Sequence, residues 1–260
     1  THSPLRARPP RFRREGVVVV GCGDVGLRAA RQMAGRVRLL ALTSSPARVP
    51  VLRAAGVVPL PGNLDAPATL RRLAGIATRV LHLAPPPGEG QGDPRTQALV
   101  RALALRSPPR SLAYGSTSGV DGDCEGARGQ EKPMARPGTA RARRRVAAEE
   151  AVRWLGRAAG VRASILRIPG IYAPDREGGT PRERLLRATP ALRAEDDVYT
   201  SHIHADDLAR ACIAAIFRGA PQRVVNVSDD TELKMGDYFD LAADLYGLPR
   251  PPRISRTEAQ

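Results

Sequence analysis

The sequence predicts an α/β protein built on a doubly wound parallel sheet, with a small C-terminal lobe. Three observations lead there. Short apolar runs of strand length recur along the chain, segments with helical spacing alternate with them, and the first run ends in a glycine-rich turn. The apolar runs are residues 17–20, 37–42, 57–60, 80–84, 111–115, 163–168 and 224–227, each with the near-continuous hydrophobicity of a strand buried on both faces. Between them, a helical stretch follows the first glycines through Met33. Ala147, Ala151, Trp154, Leu155 and Ala158 share one helical face, as do Ala205, Leu208, Ala209, Cys212, Ile213 and Ile216. Met235, Tyr238, Phe239, Ala242, Leu245 and Tyr246 give one more amphipathic helix near the end. The Pro- and Gly-rich residues 85–94 and the polar residues 121–139 each follow a strand, where open α/β sheets bind ligands. Residues 16–260 read as a single domain with its lobe at about 171–200 and 234–260, and residues 1–15 as a basic arm without fixed structure.

Composition narrows the function. The 260 residues carry 41 Lys plus Arg against 26 Asp plus Glu, a formal charge of +15 that first suggests nucleic acid. Two details argue against that as the main role. The only lysines are Lys132 and Lys234, in a chain rich in Arg, Ala, Gly and Pro, and aromatic residues make up only 3%, too few for stacking platforms. Cys22, Cys124 and Cys212 are scattered and odd in number, so neither a disulfide framework nor a paired zinc site is expected. A reducing cytoplasm fits. No apolar run approaches the roughly 18 residues of a membrane span, and the arginines from Arg6 to Arg14 are not followed by the apolar region of a secretory signal. Neither a metal site nor a membrane partner is expected.

The strongest chemical signal is Gly21-Cys22-Gly23-Asp24-Val25-Gly26, between the first strand and the first helix. Gly21 permits the tight turn, Gly23 lets backbone approach a pyrophosphate, and Gly26 allows the helix to pack closely on the strand. Amide groups at the helix N-terminus then face the anion. This is the dinucleotide site of a Rossmann-type sheet. Sites that prefer NAD place an acid about 20 residues after the glycines to hold the ribose hydroxyls. No Asp or Glu occurs between Val25 and Leu64, and Thr43, Ser44, Ser45 and Arg48 stand where the acid would be. A 2′-phosphate suits them, so NADP is favoured over NAD.

The motifs taken in order resemble the extended short-chain dehydrogenase/reductases, the NAD-dependent epimerase/dehydratase group, from Val17 to about Arg253. Gly62-Asn63-Leu64-Asp65 resembles the third-strand segment that touches adenine, with Asn63 for the usual Asp. His82-Leu83-Ala84-Pro85 resembles the fourth-strand turn beneath the cofactor. Tyr114-Gly115-Ser116-Thr117-Ser118-Gly119-Val120 resembles the fifth-strand segment whose hydroxyl assists catalysis, the match falling on Thr117. Arg167-Ile168-Pro169-Gly170-Ile171-Tyr172 and His202-Ile203-His204-Ala205-Asp206-Asp207 resemble segments at the nicotinamide and the substrate lobe. The resemblance therefore implies that Gly21, Gly23, Asp24, Val25, Gly26, Thr43, Ser44, Arg48, Asn63, Leu64, Leu83, Ala84, Pro85, Thr117, Arg145 and Pro169 hold the cofactor.

One part of the pattern is missing. The family's acid/base is a Tyr four residues before a Lys, the Lys lowering the phenol pKa and holding the ribose. Aligning the helix that continues through Ala147, Ala148 and Glu149 puts Arg141 at the Tyr position and Arg145 at the Lys position. None of Tyr114, Tyr172, Tyr199, Tyr238 and Tyr246 has Lys four residues later. Arg145 can hold a ribose or phosphate, but a guanidinium that never deprotonates cannot take over proton transfer. These departures resemble the atypical branch of the family. His82, His202, His204 and Tyr172 are the remaining titrating candidates. The run Arg141, Arg143, Arg144 and Arg145 reads as a solvated helix face or an anion site, and Asp206 with Asp207 as caps of the following helix. Two outcomes stay open: an oxidoreductase of unknown small-molecule substrate with altered chemistry, and a catalytically silent NADP-sensing regulatory protein. Arg176, Arg182 and Arg184 would suit a phosphorylated or carboxylated substrate. The family commonly pairs through the helices at 95–105 and 141–158, which implies a homodimer.

Overall fold

A computed structural model describes residues 15–122 and 135–259. Arg6 to Arg14, Cys124, Lys132 and most of the polar residues 121–139 lie outside the described residues. In chain order the elements are β1 (Gly16–Val20), α1 (Asp24–Met33), β2 (Arg38–Thr43), α2 (Arg48–Ala54), β3 (Val58–Pro61), a 3₁₀ turn (Pro67–Leu73), β4 (Arg79–His82), α3 (Pro94–Ala104), β5 (Ser111–Thr117) and a second 3₁₀ turn (Ser118–Val120). Then follow α4 (Ala140–Ala159), β6 (Arg162–Ile168), β7 (Gly170–Tyr172), α5 (Arg182–Leu186), β8 (Ala191–Leu192), β9 (His202–His204), α6 (Ala205–Arg218), β10 (Arg223–Asn226), α7 (Met235–Tyr246) and β11 (Arg253–Ile254).

The chain packs as two units. The first holds β1 to β6, β10, α1 to α4 and α6 from Asp206 onward; the second holds β7 to β9, β11, α5 and α7. In the first, seven strands among the described residues form one sheet in the order β3-β2-β1-β4-β5-β6-β10, every adjacent pair parallel. This is the Rossmann-type sheet that the apolar runs predict. The strands read as unbroken apolar runs because helices cover both faces: β1 is buried throughout, and Val17, Val18 and Val19 are wholly inaccessible. Helix ends are set by local chemistry. The Asp93 carboxylate accepts from the Thr96 amide ahead of Pro94 at the start of α3, and the Thr139 hydroxyl accepts from the Ala142 amide at the start of α4. Gly160, at φ 63°, closes α4 in the left-handed conformation.

The buried stripe of α4 differs from the expected face. Ala148, Val152 and Leu155 point into the core, while Trp154 is 45% exposed and Ala158 is exposed. An Ala- and Arg-rich helix offers little contrast between faces. One acid, Glu149, turns inward and is buried. It meets Arg167 of β6, itself 1% exposed, whose Nη2 donates to Glu149 Oε2 at 3.0 Å and whose Nη1 donates to Asp121 Oδ1 at 2.5 Å. Ser116 of β5 donates to Glu149 Oε1 at 2.6 Å.

In the second unit β7 pairs with β9 and β11 with β8, both parallel. Its small core gathers Leu185, Phe239, Ala242 and Ala243 with Met235, Tyr238 and Leu248. The predicted terminal helix is present as α7, with Leu245 and Tyr246 on its exposed side. Among the described residues, no helix is long and apolar enough to cross a membrane.

Candidate functional site

Strand order reverses between β1 and β4, so the loops leaving their carboxyl ends diverge and open a crevice. A cleft of about 420 Å³ lies there. Val20, Gly21, Cys22 and Gly23 line it at the end of β1, Leu42, Thr43 and Ser44 at the end of β2, Gly62, Asn63, Leu64 and Asp65 after β3, and Leu83, Ala84 and Pro85 after β4, with Arg48 and Leu52 of α2 and Arg95 of α3. Gly21 stands at φ +84°, and a Cβ there would lie 2.3 Å from the Ala84 nitrogen. The close approach has a cause: the Leu83 and Ala84 amides both donate to the Val20 carbonyl, at 2.7 and 3.1 Å, stitching the end of β4 to the end of β1. A Cβ on Gly26 would crowd the Gly21 carbonyl oxygen at 3.0 Å and Val19 at 3.3 Å, whereas one on Gly23 would meet nothing within 4 Å. The three glycines thus serve turn, packing and open approach in turn.

The rim of the cleft is cationic and fixed. Arg48 reaches across from α2 and donates through Nη2 to the Cys22 carbonyl at 2.6 Å. The Thr43 hydroxyl closes a local turn by accepting from the Ser45 amide, and Asn63 Oδ1 accepts from the Asp65 amide. Arg95 makes a bidentate pair with Asp65, both bonds 2.6 Å, and holds its carboxyl below the usual range. Sequence reading missed Arg95: thirty residues from its partner and on a helix surface, it carried no local signal. Cys22 also lines the cleft, but burial pushes its thiol up to about 11, too high for a reactive thiolate.

The other residues expected at the cofactor stand apart from this cleft. Asp24, at the head of α1, accepts from Arg28 Nε at 2.9 Å, and Arg28 Nη1 also donates to Asp206. Asp206 and Asp207 stand in the first turn of α6, Asp207 paired with Arg210. Val25 and Gly26 are buried on α1. Pro169 belongs to the second unit. Thr117 caps the turn after β5, its hydroxyl accepting from the Gly119 amide at 3.3 Å. Arg145 donates through Nη1 to the Tyr114 hydroxyl at 3.0 Å and the Gly115 carbonyl at 2.8 Å. A phenol and a cation therefore meet beside β5. They meet inside the protein: Tyr114 is wholly buried, and burial carries its pKa up to about 12 against the opposing pull of Arg145. No substrate reaches that hydroxyl.

Two expectations are corrected here. His82 is enclosed, bonded through Nε2 to Thr96 Oγ1 at 2.9 Å and packed on Tyr114, and burial with the nearby Arg145 pushes its pKa down to about 3. It stays neutral and is no proton carrier at ordinary pH. The arginine run on α4 is a solvated face only in part: Arg141 and Arg143 are exposed, Arg143 Nε donating to Gln91 Oε1, while Arg144 Nη1 donates to the Gly90 carbonyl and Arg145 to β5. Three arginines fasten the helix to the loop and strand before it. His202, His204 and Tyr172 gather in the second unit with ring contacts among them. Among the described residues no cluster of His, Cys, Asp or Glu could hold a metal ion.

Residues 51–228 match the model of the NAD dependent epimerase/dehydratase family. The chain belongs to this family. Solved structures agree in fold. A functionally unknown conserved protein from Silicibacter pomeroyi DSS superposes with a TM-score of 0.76 at 28% identity, over 95% of this chain and 83% of that one. A nucleoside-diphosphate-sugar epimerase from Pseudomonas aeruginosa gives 0.76 at 19% identity, over 94% and 82%. A UDP-glucuronic acid 4-epimerase from Bacillus cereus, solved in complex with NAD, gives 0.75 at 17% identity, over 92% and 87%. No curated protein matches. The residues of this family member fit a dinucleotide: Gly23 leaves backbone open above the turn, brings no side chain to cap α1, and so leaves the positive end of that helix to an anion.

Proposed function

We propose that the chain binds NADP in the cleft at the β1–β4 crevice and works as an oxidoreductase of the epimerase/dehydratase kind on a small-molecule carbonyl or alcohol. The observation that carries this reading is Arg48, bonded to the glycine loop at the end of a β2 that offers hydroxyls and no acid. A carboxylate there would repel a 2′-phosphate and pair with a free ribose diol. A guanidinium beside Ser44 does the reverse. When bound, the dinucleotide supplies hydride chemistry. Gly21, Gly23 and the head of α1 would take its pyrophosphate, Asn63 and Leu64 its adenine side, and Leu83, Ala84 and Pro85 the floor beneath it.

The same reading makes this an atypical member. The Tyr-x-x-x-Lys pair is replaced by Arg141 and Arg145, and Arg145 steadies β5 instead of lowering the pKa of an accessible phenol. Thr117 orients a substrate oxygen without donating a proton of its own. Pairing into a homodimer uses α3 and α4, whose shared outer groove sets Val100, Ala147, Ala151 and Trp154 beside the polar Gln97, Arg101 and Glu150.

Titration calorimetry tests the cofactor. NADP is expected to bind at least tenfold more tightly than NAD, and Arg48→Gln to remove most of that preference while leaving NAD affinity within about threefold. Absence of binding by either dinucleotide at millimolar concentration would overturn the reading.

A further inference from the structure

The second unit holds a cavity of about 560 Å³, a size that ligand pockets commonly have. Its walls come from β7, β9, α7 and the loops between them. They hold a concentration of rings unusual for this chain: Tyr172, Tyr238 and Tyr246, three of the five tyrosines, with His202 and His204. His202 and Tyr238 lie face to face, centroids 4.2 Å apart and planes 19° from parallel, and Tyr172 stands edge-on to His204 at 5.3 Å. Leu233, Leu241, Ala242 and Leu245 complete the apolar wall.

Charge is what selects the occupant. In a protein with a formal charge of +15, no Arg or Lys among the described residues lines this cavity. Arg184 lies over the Phe239 ring at 4.5 Å, engaged in the unit's core, and neither Arg176 nor Arg182 is among the lining residues. The one carboxyl group among the described lining residues is that of Asp229, which accepts from the Thr231 amide at 3.1 Å and from the Thr231 hydroxyl. Burial pushes the pKa of His202 down, partly offset by Asp229, which favours the neutral ring. A nucleoside diphosphate brings at least two negative charges and needs donors or cations to replace its water. Among the described lining residues the donors are uncharged hydroxyls and imidazoles, and no cation stands with them. A flat, uncharged ring loses little solvation and gains stacking against His202 and Tyr238.

We infer that this cavity is a binding site for an uncharged aromatic small molecule, and that it does not take a sugar nucleotide. The inference stands independently of the cofactor reading, since it uses only residues of the second unit.

Saturation-transfer NMR and calorimetry on the full chain, with 2-naphthol, 2-naphthoate and UDP-glucose as probes, test it. The naphthol is expected to bind at least tenfold more tightly than either anion. Tyr238→Ala should weaken naphthol binding at least tenfold; because Tyr238 also packs on the unit's small core the thermal midpoint should drop, and a retained cooperative transition shows that the unit is folded. Leu245, 77% exposed at the rim, can be replaced without disturbing the core. Leu245→Arg should narrow the naphthol-to-naphthoate ratio about tenfold. The inference fails if UDP-glucose binds as tightly as the naphthol, or if no probe binds at millimolar concentration. It also fails if neither substitution changes binding, or if sedimentation shows Leu245→Arg breaking a dimer, which would mean a second copy of the chain covers the cavity. NADP titrated alongside reports on the other site, so loss of one result leaves the other readable.

Discussion

His82 shows how far a side chain's surroundings outweigh its type. As one of four histidines in a chain without the usual acid/base pair, it was a natural candidate to move protons. Enclosed against Tyr114 and bonded to Thr96, it resists protonation down to about pH 3. The unfolded chain takes up that proton near the ordinary histidine pKa, so acid favours the unfolded state across the interval between the two values. Stability should therefore fall as pH drops from about 6.5 toward 3, at up to about 1.4 kcal/mol per pH unit from this residue. Urea unfolding at pH 7.5 and 5.0 checks it: the wild type should lose about 2 kcal/mol more than His82→Leu over that interval. An equal loss in both proteins would mean that the ring ionises freely in the fold. That the glycine loop and Arg48 stand at one cleft was legible because each carries a local signal, through spacing or through an absent acid. The environment of His82 was not, because its neighbours Thr96, Tyr114 and Arg145 arrive from three other elements.

The strands were the most readable elements, since a parallel sheet buried on both faces leaves a run of Val, Leu and Ala that few other structures require. α4 was harder. Its inward face carries Glu149 along with Ala148, Val152 and Leu155, and nothing in an Ala- and Arg-rich segment reveals that an acid points inward. The reason is Arg167 on β6, which needs a buried counter-charge. Glu149 also fixes Ser116 on β5, so one carboxylate joins a helix to two strands. Burial holds the third partner, the Asp121 carboxyl, above its ordinary range despite Arg167, which makes it the weaker half of the arrangement. Glu149→Ala should cost about 3 kcal/mol in denaturant unfolding, because it leaves the buried Arg167 with Asp121 as its remaining carboxylate. The double change Glu149→Met with Arg167→Met should recover most of that loss. A double variant no better than the single one would show that the pair itself, rather than the abandoned charge, stabilises the helix.

For the molecule as a whole, the excess of arginine takes on a different meaning. Arg79 pairs with Glu15, donates to the Ile216 carbonyl at 2.7 Å and lies over the Phe217 ring. Arg28, Arg144, Arg145 and Arg167 are likewise committed to carboxylates, carbonyls or a phenol within the fold. Much of the positive charge is therefore joinery. One outer groove, between α3 and α4, carries Trp154 in its wall. If copies pair there, the wild type should sediment as a dimer and Trp154→Glu as a monomer with an unchanged far-ultraviolet spectrum. Trp154 is also the only tryptophan in the chain, and it does not line the nucleotide cleft. Its light emission consequently reports first on that outer face: a blue shift with rising protein concentration would record pairing without any added dye.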